Sequence, residues 1–161
     1  MKALIVYDST YGNTEKIAQA IAGVVALPDE GRFVRAGQAS TADVQGVELL
    51  MVGSPTNGGR PTPAMQQFLA QLPRGSLQGV SVAAFDTRAA AVWVKIFGFA
   101  AGRIASKLRA KGGYLLVPPR GFIVKGTEGP LADGELEQAA LWAKAVIAEH
   151  KFLGGLREKA A

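Results

Sequence analysis

The loop DSTYGNT at residues 8–14 carries the residue types that bind a phosphate group. It stands between the hydrophobic run ALIVY at 3–7 and a segment whose apolar residues recur at helical spacing. A helix N-terminus presents free N–H groups and the positive end of the helix dipole, so hydroxyls placed there can surround a phosphate without a cation. Ser9, Thr10 and Thr14 supply hydroxyls, and Gly12 lets the backbone turn against a ligand. The alternative is an ordinary polar turn with helix caps.

The same loop lacks the features of nucleoside triphosphate hydrolases. It matches neither GxxxxGK[ST] nor GxGxxG, and it contains no lysine that could reach a β- or γ-phosphate. The terminal phosphate of a monoester fits this loop better.

Strand and helix patterns alternate along the chain, which predicts a single domain over 1–161 with an open parallel α/β sheet. The predicted strands lie at 3–7, 32–36, 47–53, 80–85 and 114–119. The predicted helices lie at 13–26, from Thr62–Pro63 onward, from about 98 to Gly112–Gly113, and from Asp133. The last of these helices is predicted to be capped by Asp133, to end near residue 150 and to turn Leu136, Ala140, Ala143 and Ile147 inward. Ligands bind such sheets outside the carboxyl ends of the strands, so the loops there are the candidate site.

Three motifs in order resemble the flavodoxins and the wider group of flavodoxin-like FMN proteins. The loop STYGNT matches the family pattern [ST]-x-[TY]-G-x-T. The tyrosine at its third position resembles the pattern of the quinone-reductase branch of the superfamily. VGSPTNGGRPTPAMQQFL follows the third strand, and AAFDTR ends the fourth, before GRIASKLRAKGG. The resemblance covers nearly the whole chain and implies a five-stranded sheet of order 2-1-3-4-5, helices on both faces, and noncovalently bound FMN.

The resemblance also implies which residues contact FMN. The phosphate would be held by Ser9, Thr10, Tyr11, Gly12, Asn13 and Thr14; ribityl and ring by Ser54, Pro55, Thr56, Asn57 and Gly58; and the other side of the ring or its pyrimidine edge by Asp86, Thr87 and Arg88. A peptide at Gly58 or Gly59 would donate to N5 of the reduced ring. No side chain is assigned a catalytic role, because the flavin carries the chemistry and the protein tunes its potential.

The flanking loops depart from the usual flavodoxin pattern. No aromatic residue lies between Ser54 and Phe68, so one flavin face is expected to be open. Trp93 is the nearest aromatic to the second flanking loop and would either cover the ring or fill the core. The apolar segment 89–101 around it is either a docking patch or core.

The charge distribution is the second departure. The chain has a net charge of +5, and Asp86 is its only acid between Glu48 and Glu128. Electron-transfer flavodoxins are typically acidic, so a redox partner of this chain is expected to present an acidic surface. Alternatively, Arg60, Arg88 and Arg120 would hold the phosphates of NAD(P)H in a reductase that acts on a small acceptor. Basic residues without interleaved aromatics or a known module do not favour nucleic acid.

Composition excludes several kinds of site. The chain has no cysteine and a single histidine, His150, which argues against thiolate catalysis and a metal centre. His150 is expected to be exposed or to cap the last helix.

No apolar run approaches the ~18 residues of a membrane span, and MKALIVYD is unlike a signal peptide. We therefore expect a cytoplasmic protein without membrane insertion.

The sequence therefore supports three hypotheses. The first is an FMN-binding electron carrier, and the second is an NAD(P)H-dependent quinone-type reductase with an open flavin face. The third is a flavodoxin-fold binding or regulatory module without FMN.

Overall fold

The computed structural model describes residues 1–25, 31–90 and 98–160 of the chain. The strands are β1 (Ala3–Tyr7), β2 (Gly31–Arg35), β3 (Leu49–Pro55), β4 (Ser81–Ala89), β5 (Tyr114–Leu115) and β6 (Arg120–Val124). The helices are α1 (Asn13–Val25), α2 (Pro63–Gln71), α3 (Ala100–Ala110) and α4 (Glu135–Ala160), with short 3₁₀ turns at Ala36–Gln38 and Thr41–Val44. Trp93 and the centre of the apolar segment 89–101 lie outside the described residues.

The strands form one parallel sheet in the order β2-β1-β3-β4-β5, which confirms the predicted order 2-1-3-4-5. The fifth strand, predicted at 114–119, already ends at Leu115, and Pro118 and Pro119 beyond it lack the N–H that a sheet ladder needs. This strand, β5, pairs with Ser81 and Val82, and a further strand, β6, pairs with the carboxyl half of β4. The β4 strand runs further than predicted, to Ala89, and pairs with both.

Helices cover both faces of the sheet, as predicted. On one face α2 and α3 pack Met65, Phe68, Ile104 and Leu108 against it. On the other face α1 and α4 contribute a second cluster around Ile17. Every residue of β1 is buried, because both sides of a central parallel strand are covered.

The ends of α2 and α3 confirm the local signals. Thr62 caps α2, since its Oγ1 accepts a hydrogen bond from the Met65 N–H at 3.3 Å, and Pro63 is the first helical residue. After α3, Gly112 has a φ of +99°, and the Gly113 N–H donates to the Leu108 carbonyl at 3.0 Å.

The last helix differs from its prediction in inner face and length. Leu136 is 43% exposed, and the fully buried positions are Ala139, Ala143 and Val146, so the predicted inner face was wrong at its start. The helix packs mainly on α1, where small alanines allow close approach. It also continues past residue 150 to Ala160. No described helix is long and apolar enough to cross a membrane.

Candidate functional site

A cavity of about 500 Å³ lies at the carboxyl edge of the sheet. The loops that follow β1, β3 and β6 enclose it together with the end of β4, at the edge of the sheet where the sequence predicts the site. It is lined by Ser9, Thr10, Tyr11, Asn13, Thr14, Pro55, Thr56, Asn57, Gly58, Gly59, Thr87, Arg88, Ala89, Val124, Gly126 and Thr127. All the predicted site residues line the cavity except Gly12, Ser54 and Asp86.

The loop after β1 is organised around the start of α1. The Ser9 Oγ accepts a hydrogen bond from the Gly12 N–H at 3.0 Å, which closes the loop on itself. Gly12 has a φ of +89°, a conformation that strains any residue with a Cβ. Ser9, Asn13 and Thr14 are buried, whereas the Tyr11 side chain is 54% exposed. The sequence places Gly12 in this loop for its backbone geometry rather than as a lining residue.

Two buried hydroxyls join this loop to the end of β4. Thr14 Oγ1 and Thr87 Oγ1 are 2.7 Å apart and share a hydrogen bond. One hydroxyl hydrogen is used between them, so the other hydroxyl keeps its hydrogen for a ligand in the cavity. Neutral donors of this kind bind a phosphate without placing a cation beside it.

The loop after β3 forms a tight turn beside these hydroxyls. The backbone groups of Asn57 and Arg60 exchange two hydrogen bonds of 2.8 and 3.0 Å. Between them, Gly58 and Gly59 have φ values of +55° and +78°. The turn is fastened to β4, because the Thr56 N–H donates to the Thr87 carbonyl at 2.9 Å.

Ser54 supports that turn from behind and does not face the cavity. It is fully buried. Its Oγ accepts from the Thr62 N–H and donates to the Pro55 carbonyl, both at 3.0 Å. The structure therefore places Ser54 outside the cavity lining, where its bonds hold the β3–α2 loop.

Asp86 also lies behind the cavity, where it anchors Arg88. Both oxygens of its fully buried carboxylate accept from the Arg88 guanidinium at 2.7 Å. The Ala101 N–H donates to the same carboxylate at 2.9 Å, which ties the start of α3 to β4. The guanidinium also lies over the Phe99 ring, 3.5 Å from its centroid. Of the three predicted residues, only Thr87 and Arg88 thus face the cavity.

The loop after β6 completes the cavity, and the sequence analysis assigned no site residue to it. Asn13 Nδ2 donates to the Glu128 carbonyl at 3.0 Å, which holds this loop against the start of α1. Val124, Gly126 and Thr127 then line the cavity. The small and polar run KGTEG at 125–129, directly after the last strand, is the signal that could have found them.

Asp8 fixes the entrance of the first loop. Its carboxylate accepts from Arg35 Nε at 3.2 Å and from the Thr62 hydroxyl. The Arg35 guanidinium also donates to the Ser9 carbonyl. Asp8 thus links the ends of β1 and β2 to the cap of α2 and does not line the cavity.

The electrostatics of the cavity favour a ligand bound mainly through neutral groups. Arg88, its one cationic lining residue among those described, is already paired with Asp86.

Two other features of this region concern protonation and metal binding. Below the first loop, burial and the nearby Glu15 raise the pKa of Tyr7, whose hydroxyl donates to Glu15 Oε1 at 3.2 Å. Within the described residues, no cluster of three or more His, Asp or Glu side chains could hold a metal ion.

The three arginines considered for NAD(P)H line no common cavity. Arg88 faces the cavity described above, and Arg60 lines a separate groove between α2 and α3. Arg120 lies over the Phe122 ring at 5.6 Å and lines neither space.

The sequence of this chain matches a known protein family. The model of the flavodoxin family matches residues 5–142, from within β1 to the first third of α4. This chain belongs to the flavodoxin family. A flavodoxin from Aquifex aeolicus (strain VF5) is 39% identical over 69 residues. That aligned segment is 42% of this chain and 37% of the relative, so the match spans little more than a third of that protein.

Solved flavodoxin structures share this fold over nearly the whole chain. Oxidised flavodoxin 2 from Bacillus cereus has a TM-score of 0.79 at 23% identity and covers 92% of this chain and 99% of its own. Oxidised flavodoxin 1 from Bacillus cereus has a TM-score of 0.77 at 18% identity, covering 92% and 98%. A flavodoxin from the domain Archaea is 26% identical, with a TM-score of 0.71 and coverage of 94% and 99%.

The cavity of this chain fits the cofactor of its family. Flavodoxins bind FMN. In a doubly wound sheet the ligand lies at the carboxyl edge, at the point where the strand order reverses, and flavodoxin is itself a standard example of this rule. Here that position holds the hydroxyl pair of Thr14 and Thr87 at a helix N-terminus, beside a glycine turn that adds little bulk. The hydroxyls are suitable hydrogen-bond donors for a phosphate. The glycine turn leaves open space for a flat ring.

Proposed function

We propose that this chain is an FMN-binding electron-transfer protein. The observation that carries the proposal is the hydroxyl-lined cavity at the carboxyl edge of the sheet, with the Thr14–Thr87 pair at its base. When bound, FMN supplies the redox chemistry, and the protein positions it and tunes its potential.

The residues divide by position around the proposed cofactor. Ser9, Thr10, Asn13 and Thr14 surround the phosphate, together with the Thr87 hydroxyl. The turn at 55–59 flanks the ring on one side, and Arg88 lies on the other. Ser54, Asp86 and Gly12 hold these groups in place.

The Gly58–Gly59 peptide lies in the turn next to the proposed ring position. The glycines have no side chain that would obstruct rotation of this peptide, and both already occupy positive φ. We assign this peptide the hydrogen bond to flavin N5. The residues 55–59 include no aromatic side chain, so the flavin face beside them is open to a partner or an acceptor.

An electron carrier is favoured over an NAD(P)H-dependent reductase. The arginines Arg60, Arg88 and Arg120, which would hold the dinucleotide phosphates, line no common space, and Arg88 is committed to Asp86. The intact cavity also argues against a binding module that has lost its cofactor. The positive charge of residues 49–127 supports a redox partner with an acidic surface.

Oxidation of NAD(P)H with a quinone separates the carrier from the reductase. We expect the FMN-loaded protein alone to oxidise neither NADH nor NADPH at a steady rate, and electrons to reach the acceptor only after a flavoprotein reductase is added. Steady oxidation without that reductase would assign the protein to the reductase class instead.

A further inference from the structure

A second and larger space lies between α2 and α3, on the far side of the turn that borders the cofactor cavity. This groove has a volume of about 880 Å³. Its charged lining residues are all basic, namely Arg60, Arg103, Lys107 and Lys111. The remaining lining residues are Pro61, Gln66, Gln67, Leu69, Ala70, Gly98, Phe99, Gly102 and Ser106.

The basic residues form a line rather than a cluster. Arg103, Lys107 and Lys111 follow one another at intervals of four, so they share one face of α3 and its C-cap and extend over about 12 Å. Like charges at this spacing destabilise a helix. The facing helix α2 offers no counter-charge, because PAMQQFLAQ contains no acidic or basic residue. The groove thus presents a row of basic residues beside a helix that carries no charged side chain.

The groove and the cofactor cavity share the turn at residues 57–60. Arg103 Nε donates to the Gly59 carbonyl at 2.7 Å from the groove side. Arg60 lines the groove, while its backbone pairs with that of Asn57, which lines the cavity. An occupant of the groove therefore lies next to the turn that flanks the proposed flavin ring.

We propose that this groove docks an acidic segment of a partner protein. Carboxylates of the segment pair with Lys107, Lys111 and Arg60, its apolar side chains contact Leu69 and Ala70, and Gln67 bonds its backbone. That the partner exchanges electrons rests on the function proposed above, whereas the docking itself does not. Arg103 acts differently, because it positions the flavin-flanking turn through Gly59.

A carboxylate-bearing segment fits the groove better than a compact phosphate. Phosphate sites use the free N–H groups of a helix N-terminus. At the start of α3 the first two of these groups are already bonded, with the Ala100 N–H donating to Thr56 Oγ1 and the Ala101 N–H donating to Asp86 Oδ2, both at 2.9 Å. The cations also follow the length of α3 and do not converge on one point, which matches a ligand with charges spread along a chain.

Fluorescence anisotropy with labelled peptides tests the proposal. The probe is a twelve-residue peptide that alternates Glu with Leu and Ala, and its comparison is the same peptide with Gln for Glu. The variant is Lys107→Gln with Lys111→Gln. The matched control is Lys144→Gln with Lys151→Gln, which makes the same charge change at exposed positions of α4 on the other face of the sheet. FMN affinity is measured on each sample.

The acidic peptide is expected to bind at low salt, to bind more tightly than the Gln peptide, and to weaken about fivefold to tenfold in the groove variant. The control variant should weaken it less than about twofold, since its charges lie on the other face of the sheet and contact no part of the groove lining. Equal weakening by both variants, or equal binding of both peptides, would overturn the proposal. So would displacement of the peptide by tripolyphosphate at lower concentration than by unlabelled peptide. Failure to bind FMN would affect only the proposed function.

Discussion

Single residues at this site divide into those that face the ligand space and those that hold them. Thr14 and Thr87 face it, whereas Asp86 and Ser54 are fully buried behind it. Residue types in the sequence identified both groups but did not separate them. An acid and an arginine two positions apart on one strand point to the same side of the sheet, where they can pair with each other as readily as with a ligand.

Replacing Thr14 tests the hydroxyl pair. Thr14→Val keeps the shape but removes the donor and leaves the Thr87 hydroxyl without its partner. We expect the Kd for FMN, measured by quenching of flavin fluorescence, to rise at least about tenfold, because a hydrogen bond to a charged group is worth roughly 1.5–3 kcal/mol. Thr14→Ser keeps the hydroxyl and should bind nearly as the wild type does. Equal losses in both variants would mean that the methyl packing, and not the hydroxyl, matters.

Replacing Asp86 tests its structural role. Asp86→Asn leaves the Arg88 guanidinium, which is largely buried, without a counter-charge. We expect a loss of about 3 kcal/mol in the free energy of unfolding, measured with urea, since breaking one side of a buried ion pair is strongly destabilising. Asp133→Asn breaks the exposed pair with Lys125 and should change stability little. Unchanged stability in Asp86→Asn would show that the pair does not anchor β4 and α3.

At the level of elements, the sequence predicted the strands and helices that build the site because each leaves a local signal. Buried runs mark β1, β3 and β4, and Thr62–Pro63 marks the start of α2. Contributions that depend on tertiary packing were missed. The inner face of α4 is set by its contact with α1, and the loop after β6 is placed at the site by the pairing of β6 with β4 and by the hydrogen bond from Asn13 to the Glu128 carbonyl.

Close packing between strands gives a prediction at this scale. An added Cβ at Gly53 of β3 would lie 2.1 Å from the Phe85 ring on β4, in a fully covered part of the sheet. We expect Gly53→Ala to destabilise the protein by about 1–3 kcal/mol or to prevent folding. Gly23→Ala, in α1 with nothing within 4 Å of the new Cβ, should instead stabilise it by roughly 0.5–1 kcal/mol. Thermal unfolding followed by circular dichroism compares the two, and a tolerated Gly53→Ala would contradict the packing described here.

For the whole molecule, the single histidine, His150 on α4, links stability to pH. The sequence predicts that His150 is exposed or caps the last helix. It is half-buried instead, and its Nδ1 has no hydrogen-bond partner among the described residues. Burial lowers the pKa of His150, with Arg157 and the amino terminus acting in the same direction and Glu48 opposing them. The neutral imidazole is therefore the form that the fold accommodates.

Stability should consequently fall on mild acidification. Below the unfolded-state pKa of about 6.5, the unfolded chain takes up a proton on His150 more readily than the folded chain does. We expect the free energy of unfolding to decrease between pH 7.5 and pH 5, and this decrease to be smaller in His150→Gln. Urea unfolding across that range measures it, and identical pH slopes in both proteins would exclude His150 as the source.

The stoichiometry of flavin in the purified protein tests FMN binding, on which the proposed function depends. The protein, incubated with FMN and freed of excess by gel filtration, is expected to be yellow and to release about one FMN per chain on denaturation. The Thr14→Val protein should retain clearly less under the same conditions. A folded wild-type protein that emerges colourless would contradict FMN binding by this chain.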